Sequence, residues 1–100
     1  MSASMYALEP IILTTSFTHN GNGHNTRNPM PEFYLDGHTL TAGSYTVGST
    51  VELLDENDNV VFTSYVYIEG DTIVLPATLS GAYTIRVTRD GTTFVGEIEL

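Results

Sequence analysis

The fold is decided by the last fifth of the chain, residues 81–100, which reads GAYTIRVTRDGTTFVGEIEL. Two runs of alternating apolar and polar residues flank Asp90-Gly91. This dipeptide favours a type I′ turn, because both central positions of that turn need a positive φ. The turn places the apolar residues on one face in three cross-strand pairs: Val87 with Phe94, Ile85 with Gly96, and Tyr83 with Ile98. A slip of one residue would reverse the face, so the stretch predicts a β-hairpin in a definite register.

Two further hairpins are predicted upstream. Asp36-Gly37 separates two short apolar runs and sets Phe33 opposite Leu40. A turn centred on Asn57-Asp58 joins residues 50–55 to 60–67 and sets Leu53 opposite Phe62. The core face of this second hairpin then contains Val51, Leu53, Phe62, Val66 and Ile68.

The remaining segments follow the same rhythm of short strands and turns. Leu8–Phe17 and Thr72–Leu75 are predicted strands, and no helical periodicity or repeat is found. The fold class is therefore all-β, an immunoglobulin-like antiparallel β-sandwich of seven to eight strands. Residues 1–100 form a single domain, in which 1–6 are expected to be disordered and 18–30 to form a mobile loop.

The bulk composition excludes several function classes. Twelve acidic residues face three arginines and no lysine, so the net charge is -9. This charge repels phosphate backbones, and we expect no nucleic-acid partner. No apolar run is long enough to span a bilayer, so no membrane insertion is expected. The chain has no cysteine, which excludes disulfides and thiolate metal sites.

Four motifs in order carry a family resemblance: LDGHTL at 35–40, TVELLDENDNVV at 50–61, LSGAYTIR at 79–86 and FVGEIEL at 94–100. The series resembles the uncharacterised immunoglobulin-like family called domain of unknown function 3244. Its members are small exported proteins of Gram-negative gut anaerobes. The resemblance implies a seven- or eight-stranded sandwich and a secreted or periplasmic location, with a leader already removed. The family has no established catalytic or binding residues to transfer.

Metal and catalytic sites find little support in the residue pattern. His19, His24 and His38 could ligate zinc, but their spacing matches no zinc motif, and solvated histidines are the favoured interpretation. The acidic stretch at 55–59 offers oxygen ligands for calcium, yet Asn and Asp there are explained by the turn. No G-x-S-x-G elbow is present. We therefore expect a non-enzyme without metal or cofactor.

Two local motifs predict individual roles. Leu79-Ser80-Gly81-Ala82-Tyr83 has the pattern of a tyrosine corner, so Tyr83 is expected to be largely buried and hydrogen-bonded near Leu79. Asp71-Thr72-Ile73 is similar to the O-glycan acceptor sequence of exported proteins in these anaerobes, which makes Thr72 a candidate for glycosylation.

A possible interaction surface lies on the outer face of the predicted sheet. If Leu53 and Phe62 point inward, their neighbours point outward, and Arg86 and Val95 join them when the two hairpins are adjacent. The predicted surface contains Leu54, Val61, Tyr65, Tyr67, Arg86 and Val95. Clustered apolar and aromatic residues can mark a binding face; the alternatives are that β-propensity alone places them there or that a loop covers them. On this face Arg86 is expected to form a weak ion pair with Glu97.

The function expected from these features is recognition. We expect an exported, non-enzymatic module that binds a protein or glycan through a sheet face and the 18–30 loop, as a monomer or weak homodimer. The alternative is a structural or targeting module, because the closing motif also resembles carboxy-terminal sorting domains of a bacterial secretion system.

Overall fold

The computed structural model of the protein describes residues 8–15 and 29–100, which form strands and turns without a helix. Nine strands are present in this part of the chain: β1 Glu9–Pro10, β2 Thr14–Thr15, β3 Phe33–Asp36, β4 Thr39–Ala42, β5 Thr50–Leu54, β6 Val60–Tyr65, β7 Thr72–Val74, β8 Ala82–Arg89 and β9 Thr92–Glu99. The all-β prediction is confirmed. The strand number exceeds the prediction because the single strand expected at 8–17 is divided into β1 and β2.

The strands form two antiparallel sheets that pack face to face. The first sheet has the order β1-β3-β4-β7, and the second has the order β2-β9-β8-β5-β6. Inward-facing residues of both sheets make one core: Leu13, Phe33, Leu35, Leu40, Ala42, Val51, Leu53, Val66, Ile73, Leu75, Ile85, Val87, Phe94 and Ile98. The strands β3, β4, β8 and β9 bury alternate residues, as a sandwich with one solvated face per sheet requires. No described segment is a helix that could cross a membrane.

The registers of the two long hairpins are confirmed. Val87 pairs with Phe94, and the turn residues Asp90 and Gly91 both have positive φ angles, 52° and 78°, as a type I′ turn requires. In the other hairpin Leu53 pairs with Phe62 as predicted, but the prediction that its turn is centred on Asn57-Asp58 is wrong. The amide of Asp58 donates to the carbonyl of Asp55, which centres the turn on Glu56-Asn57, and after a register shift Leu54 pairs with Val60. The prediction that Ile68 lies in the core is wrong, since β6 ends at Tyr65 and Ile68 is 64% exposed in the following turn.

The register predicted for the β3–β4 hairpin is wrong by two positions. Phe33 pairs with Ala42, and Leu40 pairs with Leu35. The turn is centred on Gly37-His38 instead of Asp36-Gly37, and only Gly37 has a positive φ, 63°. Glycine at the first central position is the requirement of a type II′ turn. Because the shift is an even number of residues, the same side chains still face the core.

The amino-terminal segment crosses from one sheet to the other. β1 pairs with β3 in the first sheet, and β2 pairs with β9 in the second. The crossing presses the backbone against Gly96, where an added β-carbon would lie 2.5 Å from the carbonyl oxygen of Ile12. Glycine at this position of β9 therefore allows the segment to close the core. The expected disorder at 1–6 lies outside the described residues, as does the expected loop up to residue 28.

Candidate interaction surface

The outer face of the five-stranded sheet brings the predicted surface residues onto neighbouring strands. β5 pairs with β8, which confirms that the two hairpins are adjacent. One row across the sheet runs from Val95 through Arg86 and Glu52 to Thr63. The row is polar at its centre, because Arg86 and Glu52 are directly opposite each other.

The partner predicted for Arg86 is wrong. Its Nε donates to Oε1 of Glu52 at 2.8 Å, and the side chains are 37% and 24% exposed. Glu52 faces Arg86 across the β5–β8 ladder, whereas Glu97 pairs with Thr84 and lies on a neighbouring row. A directly opposed pair of opposite charges stabilises a sheet more than a diagonal one. Sequence reasoning could not select Glu52, because β5–β8 pairing joins strands from different hairpins.

The six predicted surface residues do not form one continuous apolar face. Val61, Tyr65 and Tyr67 are exposed, and Val95 is half-buried. The prediction that Leu54 is exposed is wrong, since Leu54 is only 6% exposed, although it is outside the core cluster. A register shift beside Leu54 leaves Val61 without a partner on β5, so simple alternation fails there.

Most of the remaining residues on this outer face are threonines. The sequence did not predict this cluster of threonines. The register places six threonines on it: Thr14, Thr50, Thr63, Thr84, Thr88 and Thr93. Threonine suits an exposed pleated surface, because its branched side chain has high β-propensity. The threonines separate Val95 from Tyr65, so no apolar surface runs across the sheet.

The exposed tyrosines of the described residues collect, together with two exposed aliphatic residues, at one end of the sandwich. Two loops meet there, the β4–β5 loop at 43–49 and the β6–β7 connection at 66–71. We call this surface the tyrosine end, and its residues are Tyr45, Val47, Tyr65, Tyr67 and Ile68, exposed by 56%, 51%, 42%, 73% and 64%. Sequence reasoning missed Tyr45, Val47 and Ile68, because the pairing of distant strands decides which loops share an end.

Backbone hydrogen bonds hold the two loops of the tyrosine end together. The amide of Val66 donates to the carbonyl of Ser49, and the amide of Gly48 donates to the carbonyl of Val66, both at 3.0 Å. The Tyr65 hydroxyl lies against Gly48, 3.9 Å from the position of an added β-carbon. The rings of Tyr65 and Tyr67 make an edge-on contact with centroids 4.8 Å apart and an interplanar angle of 61°.

The buried side chain of Arg89 holds the β4–β5 loop by hydrogen bonds. This arginine is only 8% exposed, and its guanidinium donates to the carbonyl oxygens of Tyr45 and Pro29. Thr46 is fully buried, and its hydroxyl donates to the carbonyl of Gly43 at 2.8 Å. Tyr45 has a positive φ of 61°, an unusual conformation for a bulky residue. The loop is therefore a rigid platform that presents Tyr45 to solvent.

Asp71 closes the second loop. Its Oδ2 accepts hydrogen bonds from the amides of Tyr67 and Ile68 at 3.3 and 3.2 Å. The carbonyl of Asp71 accepts from the amide of Ala42, which joins the turn to β4. Thr72 follows on the edge strand β7 and is exposed. Asp71 thus has a structural role of its own, and glycosylation of Thr72 stays a prediction.

The tyrosine corner predicted at Tyr83 is wrong. Tyr83 is half-buried and packs against the core, and within the described residues its hydroxyl makes no hydrogen bond to the backbone near Leu79. The Leu79 carbonyl instead accepts a hydrogen bond at 2.8 Å from His38, whose Nε2 must carry the proton. The interpretation of His38 as a freely solvated histidine is also wrong, since it ties the β3–β4 turn to the 76–81 connection. His19 and His24 lie outside the described residues.

A search of solved structures finds the same architecture in a known protein. A DUF3244 family protein from Bacteroides vulgatus, described as an immunoglobulin-like β-sandwich, superposes with a TM-score of 0.67 and 16% sequence identity. The match covers 94% of this chain and 99% of the other. The chain has an immunoglobulin-like fold similar to that of a DUF3244 protein. The resemblance read from the four motifs is confirmed at the level of the fold. No protein-family model and no curated protein matches the chain in sequence.

Among the described residues, further polar groups of interest lie in the β5–β6 turn and along a groove. In the β5–β6 turn, Oδ1 of Asp55 accepts from the amides of Asn57 and Asn59 at 2.8 and 2.9 Å, and these bonds lower the pKa of the Asp55 carboxyl below its ordinary value. The carboxylate is thus used as a turn acceptor. No group of three metal-ligating side chains occurs among residues 8–15 and 29–100.

A groove of about 680 Å³ runs beside the crossing amino-terminal segment. The carboxylates of Glu9, Glu97 and Glu99 lie along it, and its lining contains no histidine, arginine or lysine. Paired carboxylates can act as nucleophile and general acid, but such pairs depend on an enclosed environment that makes the two carboxyls different. Glu9, Glu97 and Glu99 are all exposed. The tyrosine end is therefore the stronger candidate for a functional surface.

Proposed function

We propose that this domain is a non-enzymatic recognition module that binds a protein partner through the tyrosine end. The observation that carries the proposal is the gathering of three exposed tyrosines with Val47 and Ile68 on two hydrogen-bonded loops and the adjoining end of β6. Tyrosine provides a large contact area and a hydroxyl while losing little side-chain entropy on binding. The β4–β5 loop, Gly43-Ser44-Tyr45-Thr46-Val47-Gly48, has the tyrosine, serine and glycine composition typical of recognition loops.

The arrangement of the rings favours a protein over a glycan. Tyr65 and Tyr67 meet edge to face, at 61°, and so do not form a flat platform on which a sugar ring could stack. Val47 and Ile68 add aliphatic surface, which suits apolar side chains of a protein. An exported location would give such a module access to extracellular partners. The alternative of a structural or targeting module stays a prediction.

Selection from a random peptide library displayed on phage, with a glycan array run in parallel, tests this proposal. We expect the domain to enrich peptides, and we expect the Tyr45→Ser/Tyr67→Ser variant to bind them at least tenfold more weakly. Val74→Ser is the matched control, because Val74 is 72% exposed on β7 and lies outside the tyrosine end. Equal binding by the tyrosine variant, or binding to glycans alone, would contradict a protein-binding tyrosine end.

A further inference from the structure

The four sheet edges of the sandwich differ in how they are protected against pairing with another chain. Within the described part of the protein, β1 and β2 are two residues long and β1 contains Pro10. The edge strand β7 has three residues, and Pro76 follows it closely. Short strands and prolines are the usual devices that prevent edge-to-edge association. β6 is the remaining edge, with six residues, VVFTSY, and neither a charge nor a proline.

The backbone bonds of Val66, which directly follows β6, show which backbone groups of this strand point to β5 and which to the open edge. The amide and carbonyl of Val66 both bond toward the β5 side, to Ser49 and Gly48. Backbone groups of an antiparallel strand alternate in direction, so those of Tyr65 and Thr63 point to the open edge. At Val61 the register shift interrupts the pattern, and the Tyr67 amide bonds to Asp71. The open window therefore contains the backbone groups of Thr63 and Tyr65.

Charges identify the kind of strand that would fit this window. The β5–β6 turn before it contains Asp55, Glu56 and Asp58, and the turn after it contains Glu69 and Asp71. The described arginines are engaged elsewhere, Arg86 with Glu52 and Arg89 with two loop carbonyls. Antiparallel pairing of two copies of this chain would set the acidic turns against each other, and each copy has a net charge of -9. A strand with basic ends is complementary instead.

We infer that the open edge of β6 accepts an extended segment of the partner protein, which adds an antiparallel or parallel strand to the five-stranded sheet. The segment has β-branched residues at its centre, beside the exposed Thr63 and Tyr65, and lysine or arginine at both ends. Main-chain hydrogen bonds to the window supply affinity, and the flanking charges and the tyrosine rings supply selectivity. This inference rests on the proposed recognition function and specifies how recognition takes place.

A labelled synthetic peptide, KRTVTVTRK, tests the inference by fluorescence anisotropy against the full chain. Its control is the same peptide with glutamate at the four basic positions. Thr63→Pro removes the amide donor from the window without removing a β5–β6 ladder bond, and Thr63→Val is its matched control. We expect the basic peptide to bind the wild type and Thr63→Val, and to bind Thr63→Pro at least tenfold more weakly. Equal binding to Thr63→Pro, or of the glutamate peptide, overturns the inference.

Amide hydrogen exchange of the wild-type chain provides a measurement that does not depend on a variant's folding. Saturating peptide should slow exchange of the Thr63 and Tyr65 amides at least tenfold. The amides of Phe62 and Ser64 point toward β5, and their exchange should stay unchanged. Unchanged exchange at Thr63 and Tyr65 overturns strand addition, and so does a concentration-dependent dimer that protects them without peptide. If Tyr45→Ser/Tyr67→Ser abolishes binding and Thr63→Pro does not, the recognition function stands and strand addition fails. If neither variant reduces binding, both fail.

Discussion

At the scale of single residues, Gly96 shows how one missing side chain allows the core to close. The chain crosses between the sheets over this position, and an added β-carbon would meet the Ile12 carbonyl at 2.5 Å and Cδ2 of Leu13 at 3.0 Å. The first of these contacts is with backbone, which cannot rotate away. Leu13 is a core residue, so displacement of this segment also removes part of the apolar packing.

Gly96→Ala is therefore expected to destabilise the domain by about 1–3 kcal/mol, the usual cost of forcing an extra carbon into a packed site. Equilibrium unfolding in urea measures this change. Glu97→Ala is the control, because its side chain is exposed on the outer face of the same strand, and its effect should stay within about 0.5 kcal/mol. An unchanged midpoint for Gly96→Ala would show that the segment does not lie against β9.

At the scale of elements, each hairpin is shaped by the acceptor and φ requirements of its turn. The β5–β6 turn depends on Asp55, whose carboxylate accepts two backbone amides and whose own amide donates to the carbonyl of Asn59. The bonds that the carboxylate accepts from the amides of Asn59 and Asn57 lower the pKa of the Asp55 carboxyl relative to the unfolded chain. Asp58 then takes the positive φ of 64° that the turn requires.

The lowered pKa of Asp55 determines the sign of a pH effect. A carboxyl whose pKa is lower in the folded state contributes stability above its unfolded pKa, and this contribution is lost as the pH falls through the folded value. We expect Asp55→Asn to be less stable than the wild type at pH 7 and the difference to shrink at low pH. Thermal unfolding of both proteins at pH 7 and in strongly acidic buffer measures it. Asp36→Asn is the control, and an Asp55→Asn deficit that does not change with pH would contradict this role.

Some elements could be predicted from sequence, and others could not, for physical reasons. Asp90-Gly91 determines its register locally, because few turn types satisfy both the dipeptide and the apolar alternation. In the β5–β6 hairpin the alternation alone predicted the pair Leu53–Phe62, while the turn itself lies one residue earlier than predicted. The register predicted from Asp36-Gly37 was wrong, because Gly37 could occupy either central position of the turn. The tyrosine end was only partly predicted, because strand pairing that no local pattern encodes brings the loop of Tyr45 to the same end as Tyr65 and Tyr67.

At the scale of the whole molecule, the charge imbalance opposes the compact state. Folding concentrates twelve acidic and three basic residues on a 100-residue domain, and no disulfide offsets the resulting repulsion. Salt screens such repulsion, with a Debye length of about 10 Å at 0.1 M. The single described ion pair, Arg86–Glu52, is too small a contribution to reverse this balance.

Raising sodium chloride from 10 to 200 mM (a range over which the Debye length falls severalfold) should therefore increase the melting temperature. A gain of about 1 kcal/mol corresponds to about 4–8 °C for a domain of this size. Differential scanning calorimetry measures it. A variant with Glu97→Gln and Glu99→Gln, both exposed on β9, should show a smaller increase. A melting temperature that falls with salt would mean that attractive pairs outweigh repulsion.

The sequence by itself determined the class of fold, the strand-rich segments and two hairpin registers, because alternation and turn chemistry act over a few neighbouring residues. The tertiary structure decided the rest. It selected Glu52 as the partner of Arg86, buried Leu54, joined the loops of the tyrosine end and left β6 as the open edge. Each of these depends on which distant strands pair, and that choice follows from the packing of two whole sheets around one core.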